Sequence, residues 1–238
     1  MRKLKALLFD VDGTMVHSEQ YGHLPACNDA FKQIGLDFSW DWDYFKLLIN
    51  TIPGSVNRLI NELKKKDFKN AEIEDIIRRF EPLKKQIYIE KYLPKLKIRK
   101  GINQMIQQAI ENKVRLAIIS TSYESQIKAL LQSQFSQYLH NFEYVLGKET
   151  DKKTYNNGML HKKCLNLMNL DANNVIMLED SAEGNQAAFD ANISTSVFYN
   201  DYTFGENFHH AKIVAPSIEK FTIHDLEEIC LGNIEEQI

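Results

Sequence analysis

The chain's 238 residues, 44% of them hydrophobic and 26% charged, have the composition of an ordinary globular protein, long enough for one sizeable α/β domain or a core with a smaller insertion. A net charge of −3 supplies no basic stripe for nucleic acid, and no stretch reaches the ~18 uninterrupted apolar residues of a membrane span. Cys27, Cys164 and Cys230 lie far apart with no C-x-x-C among them, which fits reduced thiols in a cytoplasm rather than a disulfide frame.

Met1-Arg2-Lys3 opens like a signal peptide, but the apolar run meets Asp10 too early for an h-region and lacks a small-residue cleavage site. Residues 4–9 instead predict a short buried strand that stops at Asp10-Val11-Asp12-Gly13-Thr14. From Ser18 to Leu93 the pattern turns helical. One helix runs from Asn28 to a closing Gly35 and another from Asp43 through Leu48; two more are marked by Val56, Leu59, Ile60 and Leu63 and by Ile73, Ile76, Ile77 and Phe80. Lys64-Lys65-Lys66 fits the solvated face of a helix, and Pro53-Gly54 and Pro94 punctuate. After residue 94 strands and helices alternate. A helix covers Gly101–Glu111, and a strand at Arg115–Ile119 ends in Ser120-Thr121-Ser122. A helix through Leu131, a short strand at Tyr144–Leu146, a lysine-rich loop and a helix through Leu165–Leu170 follow. Val175–Leu178 is a strand ending in Glu179-Asp180-Ser181, and a helix to Ala191 leads to a last clear strand near Thr195–Phe198. Such alternation predicts an α/β fold: a Rossmann-like, doubly wound parallel sheet, built from residues 1–15 and 95–238, with an all-helical insertion at 16–94.

Three of these strands end in polar groups: Asp10 and Asp12, Ser120 and Thr121, Glu179 and Asp180. In a parallel sheet the carboxyl ends of the strands share one edge, where ligands bind. Acids gathered there repel one another unless a cation or a shared proton intervenes. Taken alone, Asp12-Gly13 also suits a turn, Ser120-Thr121-Ser122 a helix N-cap, and the Glu179-Asp180 pair the cap of the following helix.

Together, in this order, the D-x-D-G-T run at Asp10–Thr14, Ser120 after its strand and Glu179-Asp180-Ser181 followed by Gly184 resemble the motifs of the haloacid dehalogenase superfamily of phosphohydrolases. The resemblance implies that Asp10 is the nucleophile that takes a phosphoryl group and Asp12 the general acid/base. It implies that Ser120, helped by the next backbone N–H at Thr121, binds a phosphate oxygen. It also implies Mg²⁺ held by Asp10, Asp180, the main-chain carbonyl of Asp12, and Glu179 directly or through water. The family's charge-balancing lysine best matches Lys153, with Lys152 and Lys148 as rivals, because the prolines of the usual loop are missing. A hard cation and buried opposite charge are what attack by a carboxylate on a phosphate dianion requires.

The helical insertion resembles the C1 cap of that superfamily, and Ser18–His23, Asn28–Phe31, Gly35–Trp42 and Tyr199–Thr203 resemble its CbbY-like branch, whose members dephosphorylate sugar phosphates or bisphosphates. By that match Glu19, His23 and Tyr44 face the sugar. The branch's G-G-K-x-R loop is reduced to Pro53-Gly54-Ser55-Val56-Asn57-Arg58, and an arginine expected after the histidine is Leu24, which points to a singly phosphorylated or differently shaped substrate gripped in part by Arg58. The expectation is therefore a cytoplasmic, monomeric phosphatase of small phosphorylated metabolites. Phosphoglucomutase-like transfer on the same fold, or a non-catalytic binding protein, is the alternative.

Overall fold

The computed structural model describes residues 3–232; Met1 and Arg2, on which the signal-peptide reading partly rests, lie outside the described residues. The chain folds as two compact units, one of residues up to Val16 together with those from Lys97 onward, the other His17–Leu96.

In the first unit six strands form one parallel sheet: β1 Ala6–Phe9, β2 Arg115–Ile119, β3 Phe142–Leu146, β4 Val175–Glu179, β5 Ser194–Phe198 and β6 Ala211–Ala215, in the order β3-β2-β1-β4-β5-β6. β1 pairs with β2 on one side and β4 on the other, Leu8 facing Ala117 and Met177. The chain builds outward from β1 to β3, returns to the other side of β1, and builds outward again. The reversal makes the carboxyl ends of β1 and β4 the crevice of the sheet. All of β1 is buried, so its four residues are apolar without alternation, as a strand covered on both faces must be.

Among the described residues five α-helices complete this unit: α5 Ile102–Glu111, α6 Glu124–Gln134, α7 Met159–Met168, α8 Ala182–Asp190 and α9 Ile223–Leu231. Ala6, Leu8, Ala117, Ile119, Val175 and Met177 share one sheet face and pack against Leu160, Cys164 and Met168 of α7 and Ala188 of α8. The alternate residues Leu7, Phe9, Ile118 and Leu178 are equally buried. β6 and α9 extend past the last strand expected from the sequence. β6 pairs with β5 alone and leaves Lys212 and Val214 exposed, so its Ala-Lys-Ile-Val-Ala run lacks the dense apolar signal of the inner strands.

The second unit holds α1 Leu24–Gln33, α2 Trp42–Thr51, α3 Ser55–Lys65 and α4 Asn70–Ile87. Phe31 of α1 stands at its centre, 4.7 Å between ring centroids from Trp40 and 5.4 Å from Phe80. Asp41 caps α2 by accepting from the Tyr44 N–H at 2.8 Å. The unit runs from His17 to Leu96 rather than 16 to 94. Val16 bridges to Ile98 in the first unit, and Leu93–Lys95 forms a helical turn packed on Tyr88–Tyr92. Among the described residues no helix is long and apolar enough to cross a membrane, and the three cysteines are buried and free.

Candidate active site

Asp10 extends the sheet one step past β1, its N–H donating to the Leu178 carbonyl at 3.0 Å. The chain then turns at Gly13, whose φ is +86°; a Cβ there would come within 2.2 Å of Asp180 Oδ2 and of the Tyr202 hydroxyl. A glycine is needed for both reasons, the left-handed backbone and the close approach. The Asp180 carboxylate is held on both oxygens. Thr14 Oγ1 donates to Oδ1 at 3.2 Å, and Asn200 Nδ2 and the Tyr202 hydroxyl donate to Oδ2 at 2.8 and 3.2 Å.

Lys153 is buried and inserts its ammonium between two acids, 2.5 Å from Asp10 Oδ1 and ion-paired with Glu179 Oε1. Lys148 and Lys152 are exposed, and Lys148 reaches the Tyr123 hydroxyl instead at 3.1 Å. The other oxygen of Glu179 accepts from the Asp180 N–H at 3.1 Å and the Ser181 hydroxyl at 3.2 Å. Gly184, in the first turn of α8, makes room for this carboxylate: a Cβ there would lie 2.1 Å from it.

Burial pushes the Asp10 carboxyl up to about 7 against the pull of Lys153, with the Glu179 charge adding to the rise. Burial, then the charges of Asp10 and Glu179, push Asp180 well above the usual carboxylate range. Burial alone would pull Lys153 down, but its two carboxylate partners outweigh it and hold the ammonium above the ordinary lysine range. Asp10, Glu179 and Asp180 each bring a carboxylate oxygen within 4.8 Å of the others. Three buried, mutually repelling oxygen donors fit a hard divalent cation such as Mg²⁺ and offer nothing to a soft metal. The side chain of Asp12 is not in this group. It is half-buried, and its Oδ2 accepts from the Ser122 hydroxyl at 2.5 Å.

Ser120 is fully buried at the end of β2, its N–H bonded to the Leu146 carbonyl at 3.0 Å and its hydroxyl accepting from the Ser122 N–H at 3.1 Å. It is not the N-cap of α6, which starts four residues later behind Tyr123. Thr121 beside it is exposed. Asp10, Lys153, Glu179 and Asp180 are thus brought into one cluster, and Asp12 joins the Ser120–Ser122 loop through Ser122. Thr14, Ser122, Asn200 and Tyr202 join them without having been singled out. The first two close the Asp10–Thr14 and Ser120–Ser122 runs, and the last two lie in the family-like Tyr199–Thr203 segment.

In the helical unit Glu19 and Arg58 come together at 3.9 Å, while Arg58 Nε donates to the Ile52 carbonyl at 2.8 Å. Tyr44 has different partners: its hydroxyl donates to Glu62 at 2.6 Å and receives from Lys65 at 3.2 Å. His23 is buried, its Nδ1 2.9 Å from the Lys84 ammonium and its ring stacked on Tyr88.

The haloacid dehalogenase-like hydrolase family matches residues 7–198. The chain belongs to that family. It is 31% identical over 224 residues to a CBBY-like protein of Arabidopsis thaliana, an alignment covering 88% of this chain and 67% of that one. Its fold is similar to that of CbbY from Rhodobacter sphaeroides, solved in complex with phosphate (TM-score 0.78, 25% identity, 94% of this chain and 99% of that one). A mutant of that CbbY, solved with xylulose-(1,5)bisphosphate, is similar to the same degree (TM-score 0.78, 24% identity, the same coverage). The chain is thus a CbbY-like hydrolase, and the expectation of an enzyme of the phosphatase type holds.

Proposed function

We propose that this hydrolase is a Mg²⁺-dependent phosphatase of small, singly phosphorylated metabolites, chiefly sugar phosphates, working through an aspartyl-phosphate on Asp10. The observation that carries this reading is the burial of Asp10 against Lys153, beside Glu179 and Asp180, at the end of the central strand. Asp10, Asp180 and the Asp12 carbonyl, with Glu179 directly or through water, would hold the cation, which when bound neutralises phosphate charge and offsets the repulsion among the acids.

The residues then divide the work. Asp10 Oδ attacks phosphorus while the bond to the leaving oxygen breaks, and Asp12 gives that oxygen a proton. Asp12 next takes a proton from water, the water oxygen attacks phosphorus, and the bond to Asp10 breaks, returning the carboxylate and releasing phosphate. Two displacements replace one hard hydrolysis. Lys153 balances charge at the nucleophile, and the Ser120 hydroxyl with the N–H of Thr121 receives a phosphate oxygen. The Ser122 hydroxyl donates to one oxygen of Asp12 and so orients its carboxyl group.

The unit His17–Leu96 is taken as the cap that selects the substrate, by resemblance to C1 caps, with Glu19, His23 and Tyr44 toward the sugar. The preference for one phosphate is supported by Arg58, whose guanidinium is already engaged by Glu19 and the Ile52 carbonyl. The buried free cysteines are in keeping with a cytoplasmic setting. Asp10→Asn should abolish hydrolysis of p-nitrophenyl phosphate in Mg²⁺, by at least about 10³-fold, with an unchanged melting profile; retained turnover refutes the nucleophile. Product analysis with a hexose 1-phosphate separates the phosphatase, which releases phosphate, from mutase-like transfer.

A further inference from the structure

Arg99 lies in the segment between the helical unit and α5, in a run Lys97-Ile98-Arg99-Lys100 whose sequence marks no motif. Unlike its lysine neighbours it is buried, and the hydrogen-bond partners of its guanidinium are all neutral. One terminal nitrogen, Nη1, donates to the Gly13 carbonyl and, at 2.6 Å, to that of Phe198. The other, Nη2, donates to the carbonyls of Tyr199 at 2.9 Å and Pro216 at 3.0 Å. The Arg99 backbone N–H adds a bond to the Met15 carbonyl at 2.9 Å. Three segments distant in sequence, the turn after Asp12, the end of β5 and the loop after β6, are thus fastened to one planar group.

Two of these segments lead to the candidate cation site. The Gly13 N–H is bound to the Val16 carbonyl at 3.0 Å and the Gly13 carbonyl to Arg99. With both groups fixed, the planar trans peptide leaves the Asp12 carbonyl one direction to point. On the other side, the Phe198 and Tyr199 carbonyls immediately precede Asn200. The Asn200 amide donates at once to Asp180 Oδ2 at 2.8 Å and to the Gly13 carbonyl at 3.3 Å. Burying a guanidinium is costly without good acceptors, and a rigid fork of five N–H donors is the one side chain that can serve four carbonyls from two nitrogens.

We infer that Arg99 is a positioning residue for divalent-cation binding: by clamping Gly13 and the 198–199 carbonyls it sets the Asp12 carbonyl and, through Asn200, the Asp180 carboxylate. The inference rests on the proposed Mg²⁺ site. Partners that orient metal ligands from behind are worth about 10–100-fold in affinity. Lysine in this place keeps the charge but presents a single nitrogen, which cannot span the four acceptors.

The test is isothermal titration calorimetry of Mg²⁺ alone into metal-free wild type and Arg99→Lys, with thermal melts and p-nitrophenyl phosphate kinetics alongside. The expected result is a folded variant whose Mg²⁺ affinity falls about tenfold, whose KM at saturating Mg²⁺ stays within about threefold, and whose kcat recovers as Mg²⁺ is raised. A merely structural arginine would lower the melting temperature and leave Mg²⁺ affinity alone, so a weakening of less than threefold overturns the inference. Should Arg99→Lys not fold, hydrogen–deuterium exchange of wild type decides. Slower exchange at both 97–101 and 198–203 on adding Mg²⁺ supports the clamp, and any pattern without slowing at 97–101 overturns it. Wild type that binds no Mg²⁺ overturns the proposed function itself, whereas wild type that binds while Arg99→Lys matches it overturns the role of Arg99 alone.

Discussion

The helical unit and the sheet edge both remove charge from water, and they treat it in opposite ways. In the helical unit carboxylates meet cations and hydroxyl donors: Glu19 meets Arg58, Glu62 meets Lys66 and the Tyr44 hydroxyl, and Asp29 meets Lys91 and the Tyr92 hydroxyl. At the sheet edge Asp10 and Glu179 share the ammonium of Lys153 with Asp180 close beside them, and burial, with the neighbouring carboxylate charges adding to it, pushes Asp10 and Asp180 up. A folded chain tolerates such a surplus of negative charge where something else completes it. The imbalance, more than the presence of acids, marks the site.

The sharpest way to break this comparison is to remove the ammonium that Asp10 and Glu179 share. Lys153→Met should lower kcat for p-nitrophenyl phosphate by about 10²–10³-fold at saturating Mg²⁺, the loss typical of a buried electrostatic partner of the reacting groups. Arg58→Met, which breaks a matched pair, should leave the same kcat within about tenfold. Steady-state kinetics of the two variants side by side decide it. A Lys153→Met enzyme that keeps more than a tenth of wild-type turnover would mean that the imbalance is not functional.

The sheet edge was legible because strand-ending acids announce themselves: β1, β2 and β4 are dense apolar runs that stop at Asp10, Ser120 and Glu179. What stayed hidden depends on contacts across long sequence separations. Lys153 was the best match among three rival lysines by resemblance, and it is folding that turns it inward and leaves Lys148 and Lys152 exposed. Arg99 and Asn200 act on atoms 20 to 187 residues away, and β6 lacks a strong apolar signal because it lies at the sheet's margin, whereas α9 carries a helical apolar spacing at Ile223, Leu226, Cys230 and Leu231 that the sequence reading did not use. The reverse also holds. Glu19, His23 and Tyr44 were expected to face the sugar, and Arg58 to help grip the substrate, from family resemblance and not from any local signal; within their unit Glu19 and Arg58 lie 3.9 Å apart.

His161 sharpens the comparison from inside the core, because it is buried and unmatched yet neutral. It sits on α7 with no exposure, and neither ring nitrogen has a hydrogen-bond partner among the described residues. Burial, with a smaller push from the Lys153 charge, drives its pKa from 6.5 down to about 3. The unfolded chain therefore binds a proton in acid that the folded chain refuses. Stability falls as pH drops from about 6.5 toward 3, by about 2 kcal/mol at pH 5. His161→Leu should be at least as stable as wild type at pH 7 and should lose about 2 kcal/mol less between pH 7 and pH 5. Urea denaturation at the two pH values measures this. An equal acid loss in both proteins would show that the imidazole is not held neutral.

The smallest effect is expected where charge is best matched. Glu62 accepts from the Tyr44 hydroxyl at 2.6 Å and pairs with Lys66 at 3.6 Å. Glu62→Gln keeps a carbonyl oxygen for the tyrosine and gives up only the half-exposed pairing with Lys66, which ranks with surface pairs worth about 0–1 kcal/mol. The melting temperature should therefore move by no more than about 3 °C. Mg²⁺ affinity, measured by titration calorimetry, should stay within about twofold, because a carboxylate whose charge is already answered adds little to the field at the sheet edge. Were this change to shift Mg²⁺ binding tenfold, the helical unit would be part of the cation's electrostatic environment. The surplus at Asp10, Glu179 and Asp180 could then no longer be treated as complete in itself.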